Sequence, residues 1–84
     1  MDVPAELLRV ARTALGLSQA ELAREVGVAV RTVAKMETNG IVRLETLRKI
    51  QKTLEMKGVR FVDRDENNGL GIRMPLDWPK NSRA

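Results

Sequence analysis

The sequence predicts a mostly α fold, four helices followed by a C-terminal β-hairpin, and three observations carry that prediction. Apolar residues recur every three or four positions from Leu7 to Leu54. Gly16, Gly27, Gly40 and Gly58 fall where those periodic runs stop. Beyond Gly58 the apolar period drops from helical spacing to simple alternation, the mark of strands.

Taken in order, helix 1 is expected over about residues 4–15. Pro4 falls in the first turn, and Leu7, Leu8, Ala11, Ala14 and Leu15 follow at helical spacing. Ser18 and Glu21 then have the spacing of a capping box, and Leu17 and Leu22 that of a hydrophobic staple. Helix 2 turns Leu22, Ala23 and Val26 inward and ends at Gly27. Helix 3 turns Val33 and Met36 inward, with Val30, Arg31, Ala34 and Lys35 on the other side, and ends at Thr38, Asn39 and Gly40. Helix 4 carries Leu44, Leu47, Ile50 and Leu54, and Gly58 stops it after Lys57. Residues 59–62 and 70–74 alternate as strands with Asn68 and Gly69 at the turn between them. Residues 1–57 thus read as one helical domain, 58–74 as a hairpin and 75–84 as an irregular tail.

Composition narrows the function. With 84 residues the chain is a single small domain, of a size that gains from dimerisation. It has no Cys, His or Tyr, so disulfides, thiolate or imidazole metal ligands and the commonest general base are missing. No enzyme activity, metal or cofactor is expected. The acidic run from Asp63 to Glu66 lacks the glycine and the distal glutamate of a calcium loop, since Asn68 and Met74 stand at those positions. No leader or membrane span is evident, and a reducing cytoplasm fits a small chain without cysteine. Fifteen Lys and Arg against 11 Asp and Glu give +4, which favours a polyanionic partner.

Position of charge sharpens that preference. Ala23 is small where helices 2 and 3 cross, Gly27 makes the reversal, and Leu22, Val26, Val28, Val33 and Met36 lock the angle between them. Helix 3 then projects as a reading head for a major groove ~12 Å wide, with helix 2 lying across the phosphate backbone. Arg31 has the reach for guanine O6 and N7, Lys35 for the same acceptors, and Val30 for a thymine methyl.

Residues Leu17, Ser18, Gln19, Ala20, Glu21, Leu22, Ala23, Val26, Gly27 and Val28 resemble the Cro and repressor type of helix-turn-helix protein, the XRE family. The likeness continues through Thr32, Val33, Met36, Glu37, Asn39, Gly40, Glu45, Thr46 and Leu47, and covers about two-thirds of the chain. The hairpin is similar to that of a subgroup of small bacterial regulators. The resemblance implies that Gln19 contacts a phosphate and braces the start of helix 3, and that Val30, Arg31 and Lys35 face base edges. It also implies phosphate contacts for Thr32, Thr38, Asn39 and Arg43. Two departures stand out: Ala29 occupies the cap of helix 3, and Ile41 and Val42 lie in a loop that lacks the usual Pro and Ser or Asp before helix 4.

The expected function is a sequence-specific repressor that binds double-stranded DNA as a homodimer on an inverted repeat. The hairpin is the expected dimer surface, through the edge of residues 59–62 or 70–74, with Val59, Phe61, Val62, Leu70, Ile72, Met74 and Trp78 taking part. A second reading keeps the fold as a module that captures a protein partner, as antitoxins and antiactivators do, through Ile41, Val42 and Trp78. The cations on helix 3 favour DNA.

Overall fold

The computed structural model describes residues 1–79, and its elements run α1 (Ala5–Ala14), α2 (Gln19–Val26), α3 (Val30–Asn39), α4 (Leu44–Met56), β1 (Arg60–Val62) and β2 (Gly71–Arg73). The mostly α fold with a terminal hairpin is therefore present as the sequence predicts. Pro4 is the N-cap of α1 rather than part of its first turn, with extended φ −66° and ψ 152°. Its carbonyl accepts from the amides of Leu7 and Leu8.

At the start of α2 the capping box is complete. The Glu21 amide donates to Ser18 Oγ at 3.0 Å, and the Ser18 amide to Glu21 Oε1 at 2.7 Å. Those bonds with Ser18 hold the Glu21 carboxyl below its ordinary pKa. Gly27 closes α2 in the left-handed region, φ 89°, so that the Val28 amide reaches back to the Ala23 carbonyl at 3.0 Å.

One core joins the elements. Leu8 and Ala11 of α1, Leu22 and Ala23 of α2, Val33 and Met36 of α3, and Ile50 and Leu54 of α4 are all buried. Val3 and Val59 complete this core from either side of the helical bundle in sequence. Val3 also donates its amide to Gln51 Oε1 at 3.3 Å, and Asp2 pairs with Arg48 at 3.0 Å, which ties the N-terminal segment to α4. Leu44 departs from the expected inward set: it is the first residue of α4 and is 49% exposed, while Leu47, three residues on, packs on the core.

The hairpin pairs Arg60 with Arg73, Phe61 with Ile72 and Val62 with Gly71 in antiparallel register. Phe61, Ile72 and Met74 pack on the core, which supplies the support that an isolated two-stranded sheet lacks. Its connection differs from the tight Asn68–Gly69 turn that the sequence suggests. Residues 63–70 form a longer loop closed by Asp65, whose Oδ1 accepts from the amides of Asn67 at 2.8 Å and Asn68 at 2.7 Å. These bonds hold the Asp65 carboxyl below its ordinary value. The side chain thus captures the backbone donors first, and Asn68 is drawn into an Asx-type turn instead of a two-residue reversal.

Val59, grouped from the sequence with the exposed hairpin surface, is 2% exposed and belongs to the core, since the strand begins only at Arg60. The tail is anchored at Trp78, whose Nε1 donates to the Ala14 carbonyl at 2.8 Å, at the end of α1. Pro75 meanwhile lies against Gly58, where a Cβ on the glycine would come within 2.7 Å of Pro75 Cβ. Of the irregular tail expected over residues 75–84, residues 80–84 lie outside the described residues.

Candidate nucleic-acid interface

The reading surface is built on α3, whose inward face is fixed by Val33 and Met36, both at 0% exposure. A period of 3.6 residues puts Arg31, Lys35 and Thr38 on the face away from those two. Arg31 and Lys35 are both exposed there and make no ion pair or hydrogen bond among the described residues. Val30, 46% exposed, begins the helix beside them.

Ahead of Val30, Ala29 is the N-cap of α3 and offers no side-chain hydrogen bond. The amides at the front of the reading helix are therefore not met by a capping side chain, as the sequence implies.

Thr32 and Lys35 share a shallow groove with Ile41, Val42, Arg43 and Thr46. Three of the predicted DNA-facing residues, Thr32, Lys35 and Arg43, thus meet across the junction of α3 and the loop before α4. Arg43 is the N-cap of α4 and leaves that helix without a side-chain cap too. Val42 is half-buried against the core, whereas Ile41 is 65% exposed.

Thr38 and Asn39 are not brought into this groove; they line another one with Ala5, Glu6 and Leu47. Thr38 Oγ1 donates to the Ala34 carbonyl at 2.8 Å, and Asn39 Oδ1 accepts from the Ile41 amide at 2.9 Å. Both polar groups serve the end of α3 and the turn that follows it. Asn39 supplies by its side chain the local bond that lets the chain leave the helix at Gly40.

Gln19 is placed differently from its expected bracing role at the start of α3. Its Nε2 donates to Glu37 Oε1 at 2.9 Å, near the other end of that helix. Glu37 is the acceptor for a second element as well. Arg12 of α1 donates through Nε to Glu37 Oε2 at 2.6 Å and through Nη2 to Oε1 at 2.9 Å. Arg12 Nη1 further donates to the Leu17 carbonyl at 2.6 Å. Burial resists ionisation of Glu37, but the hydrogen bonds from Arg12 and Gln19 and the charges of Arg12 and Arg9 outweigh it and hold the carboxyl below its ordinary value.

Sequence reasoning assigned no role to Arg12 and gave Glu37 only as part of a family pattern. A signal was present: Glu37 follows Met36 and stands four residues after Val33, so it borders the inward stripe, where a carboxylate needs a cation. Which cation answers it, one turn from the end of α1, depends on the tertiary crossing.

A fixed pair of short helices bearing a cationic, outward α3 defines a helix-turn-helix DNA-binding protein. The chain belongs to the helix-turn-helix family of Cro and repressor type, whose model matches residues 8–60, from α1 to the first residue of β1. That is a family of DNA-binding transcription regulators. A search of curated proteins finds no match to the chain. Among the described residues no helix is long and apolar enough to cross a membrane, and no cluster of acidic side chains has the arrangement to hold a metal ion.

Proposed function

We propose that this protein is a sequence-specific repressor in the cytoplasm that binds an inverted-repeat operator in double-stranded DNA as a homodimer. Residues 1–57 are its reading unit and the hairpin of residues 58–74 its pairing unit. The observation that carries the proposal is the exposed pair Arg31 and Lys35 on a helix whose opposite face is wholly buried. Like charges four residues apart, as Arg31 and Lys35 are, disfavour a solvated helix slightly, and an anionic groove offsets that cost. A helix laid in the major groove uses them directly, Arg31 on guanine O6 and N7 and Lys35 beside it.

Thr32 and Arg43, across the groove from one another, take the flanking phosphates. Gln19 acts through Glu37, holding α2 and α3 in one unit, and its position at the start of α2 keeps that end close to the backbone. The capture of a protein partner through Ile41, Val42 and Trp78 is the weaker reading. Ile41 and Val42 border the groove of Thr32 and Lys35, whereas Trp78, bonded to Ala14, lies with Leu15 and Leu17, so the three side chains do not line one groove.

Selection of bound duplexes from a random pool tests the proposal. Enrichment of an inverted repeat with half-sites one helical turn apart, ~34 Å, is the expected result. A pool that shows no enrichment over successive rounds overturns it and favours protein capture.

A further inference from the structure

We propose that Asn68 is a site of covalent self-modification, where the Gly69 backbone nitrogen attacks the Asn68 side-chain amide and leaves aspartate or isoaspartate at residue 68. The chain has two Asn–Gly pairs, Asn39–Gly40 and Asn68–Gly69. Glycine carries no Cβ and turns over a wide range of φ, so its nitrogen can reach the side chain of the residue before it. By sequence the two pairs are equally open to this reaction. In the fold they are not.

At Asn39–Gly40 both reacting groups are held. The Gly40 amide donates to the Met36 carbonyl at 2.8 Å, and at φ 71° the glycine is the C-cap of α3. Asn39 Oδ1 accepts from the Ile41 amide at 2.9 Å. Attack there requires the last turn of α3 to open, and that turn is pinned by Met36 in the core.

At Asn68–Gly69 the nucleophile is free. Both residues are exposed, and among the described residues the Gly69 amide has no hydrogen-bond acceptor. Asp65 holds the atoms around that nitrogen and not the nitrogen itself. Its Oδ1 accepts from the Asn68 amide at 2.7 Å, and its carboxylate also takes a bond from the Asn68 side chain. The Asp65 amide donates to the Asn68 carbonyl at 2.9 Å. A donor on that carbonyl draws charge out of the Asn68–Gly69 peptide and makes its nitrogen easier to deprotonate. Asn67 is protected by the same turn, because the amide that would attack it is the Asn68 amide bound to Asp65.

Water is the only co-reactant. It carries the Gly69 amide proton to the departing side-chain nitrogen as the Gly69 nitrogen bonds to Asn68 Cγ, so ammonia leaves and a cyclic imide remains. Water then opens the ring. Addition at Cγ gives aspartate; addition at the main-chain carbonyl gives isoaspartate, whose chain path runs through Cβ and Cγ. Nothing is oxidised or reduced. Either product adds a negative charge to a loop that already holds Asp63, Asp65 and Glu66, and isoaspartate lengthens the link between β1 and β2 by one carbon.

Peptide mapping by mass spectrometry tests the proposal on the full-length protein, kept at neutral pH both folded and in guanidinium chloride until the unfolded sample is half converted. Tryptic peptides 36–43 and 65–73 report the two pairs separately, and fragmentation places the change within each. In denaturant the pairs should convert at similar rates. In the folded protein residue 68 should convert at least about tenfold faster than residue 39, since only Asn39 must wait for local opening. Isoaspartate is counted by methyl transfer from S-adenosylmethionine with an isoaspartyl methyltransferase. Gly69→Ala should slow the reaction at residue 68 about tenfold. That variant should fold, because the φ of Gly69 is not positive and a Cβ there meets nothing within 4 Å. A folded protein in which Asn39 keeps pace with Asn68, or in which Asn68 stays intact while the unfolded chain converts, overturns the proposal.

Discussion

Arg12 grips Glu37 through two nitrogens, Nε at 2.6 Å and Nη2 at 2.9 Å, and so fastens α1 to the end of the reading helix. The side chains are 14% and 4% exposed, so this pair is shielded from water in a way that the surface pair Asp2 with Arg48 is not. Removing Arg12 leaves the half-buried Glu37 carboxylate with only the Gln19 bond and the more distant Arg9 charge. Arg12→Ala should destabilise the fold by about 1–3 kcal/mol, read as a fall in the urea midpoint. Glu37→Gln should cost less, because its amide still accepts a bond. Stability should also depend on acid through Glu37. Its folded pKa lies below the ordinary 4.5, so the contribution is complete above that value and is lost as pH falls through the folded one. The Tm of the parent should therefore drop more steeply on acidification than that of Glu37→Gln, and parallel curves would refute the assignment.

Ala29 and Ser18 occupy the same structural position in successive helices, yet only one of them caps. Ser18 sits at φ −77° and ψ 164°, Ala29 at φ −71° and ψ 148°. A hydroxyl at residue 29 would thus start from nearly the geometry that already works at residue 18. Ala29→Ser should stabilise the protein by about 1 kcal/mol, seen as a higher Tm. No change in Tm would mean that the new hydroxyl does not reach the amides of Arg31 or Thr32.

The contrast between those two caps also shows what local sequence carries. Ser18 with Glu21, Gly27 after Val26, and the inward spacing of Val33 and Met36 are signals within one or two turns, and each is expressed in the fold. Where a competing partner comes from farther along the chain, local rules miss it. Glu37 draws Gln19 away from the front of α3, and Val59 is taken into the core before the strand starts. Asp65 overrides the Asn68–Gly69 turn by a bond only three residues long, a case in which side-chain capture of the backbone competes with turn propensity. For the reading surface, the outward direction of Arg31 and Lys35 was legible from period alone, while the meeting of Lys35 with Arg43 required the path of the α3–α4 loop.

Gly58 and Gly27 allow the cost of a left-handed residue to be separated from the cost of a clash. Both have positive φ, 100° and 89°, but a Cβ at Gly27 meets nothing within 4 Å whereas at Gly58 it meets Pro75 Cβ at 2.7 Å. Gly27→Ala should lose about 1–2 kcal/mol from conformation alone. Gly58→Ala should lose measurably more, because Pro75 is backbone-tethered and Trp78 holds the tail in place through Ala14. Equal losses in urea unfolding would show that the tail yields freely.

Arg31 and Arg43 should fail in different ways if one reads bases and the other holds phosphate. Arg31 is on the outward face of α3, where a guanidinium meets the edge of a guanine, and Arg43 lies across the groove at the cap of α4. Arg31→Ala should weaken binding to the selected operator by about 1–3 kcal/mol and relax the preference at one base position per half-site. Arg43→Ala should weaken all duplexes alike and reduce the slope of log K against log salt by about 1 for each copy bound. Both effects are read from titrations of operator and scrambled duplex at several salt concentrations. An Arg31→Ala protein that keeps the parent's ratio of operator to scrambled affinity would remove Arg31 from base reading. The cation beside it, Lys35, would then be the residue to test in the same way.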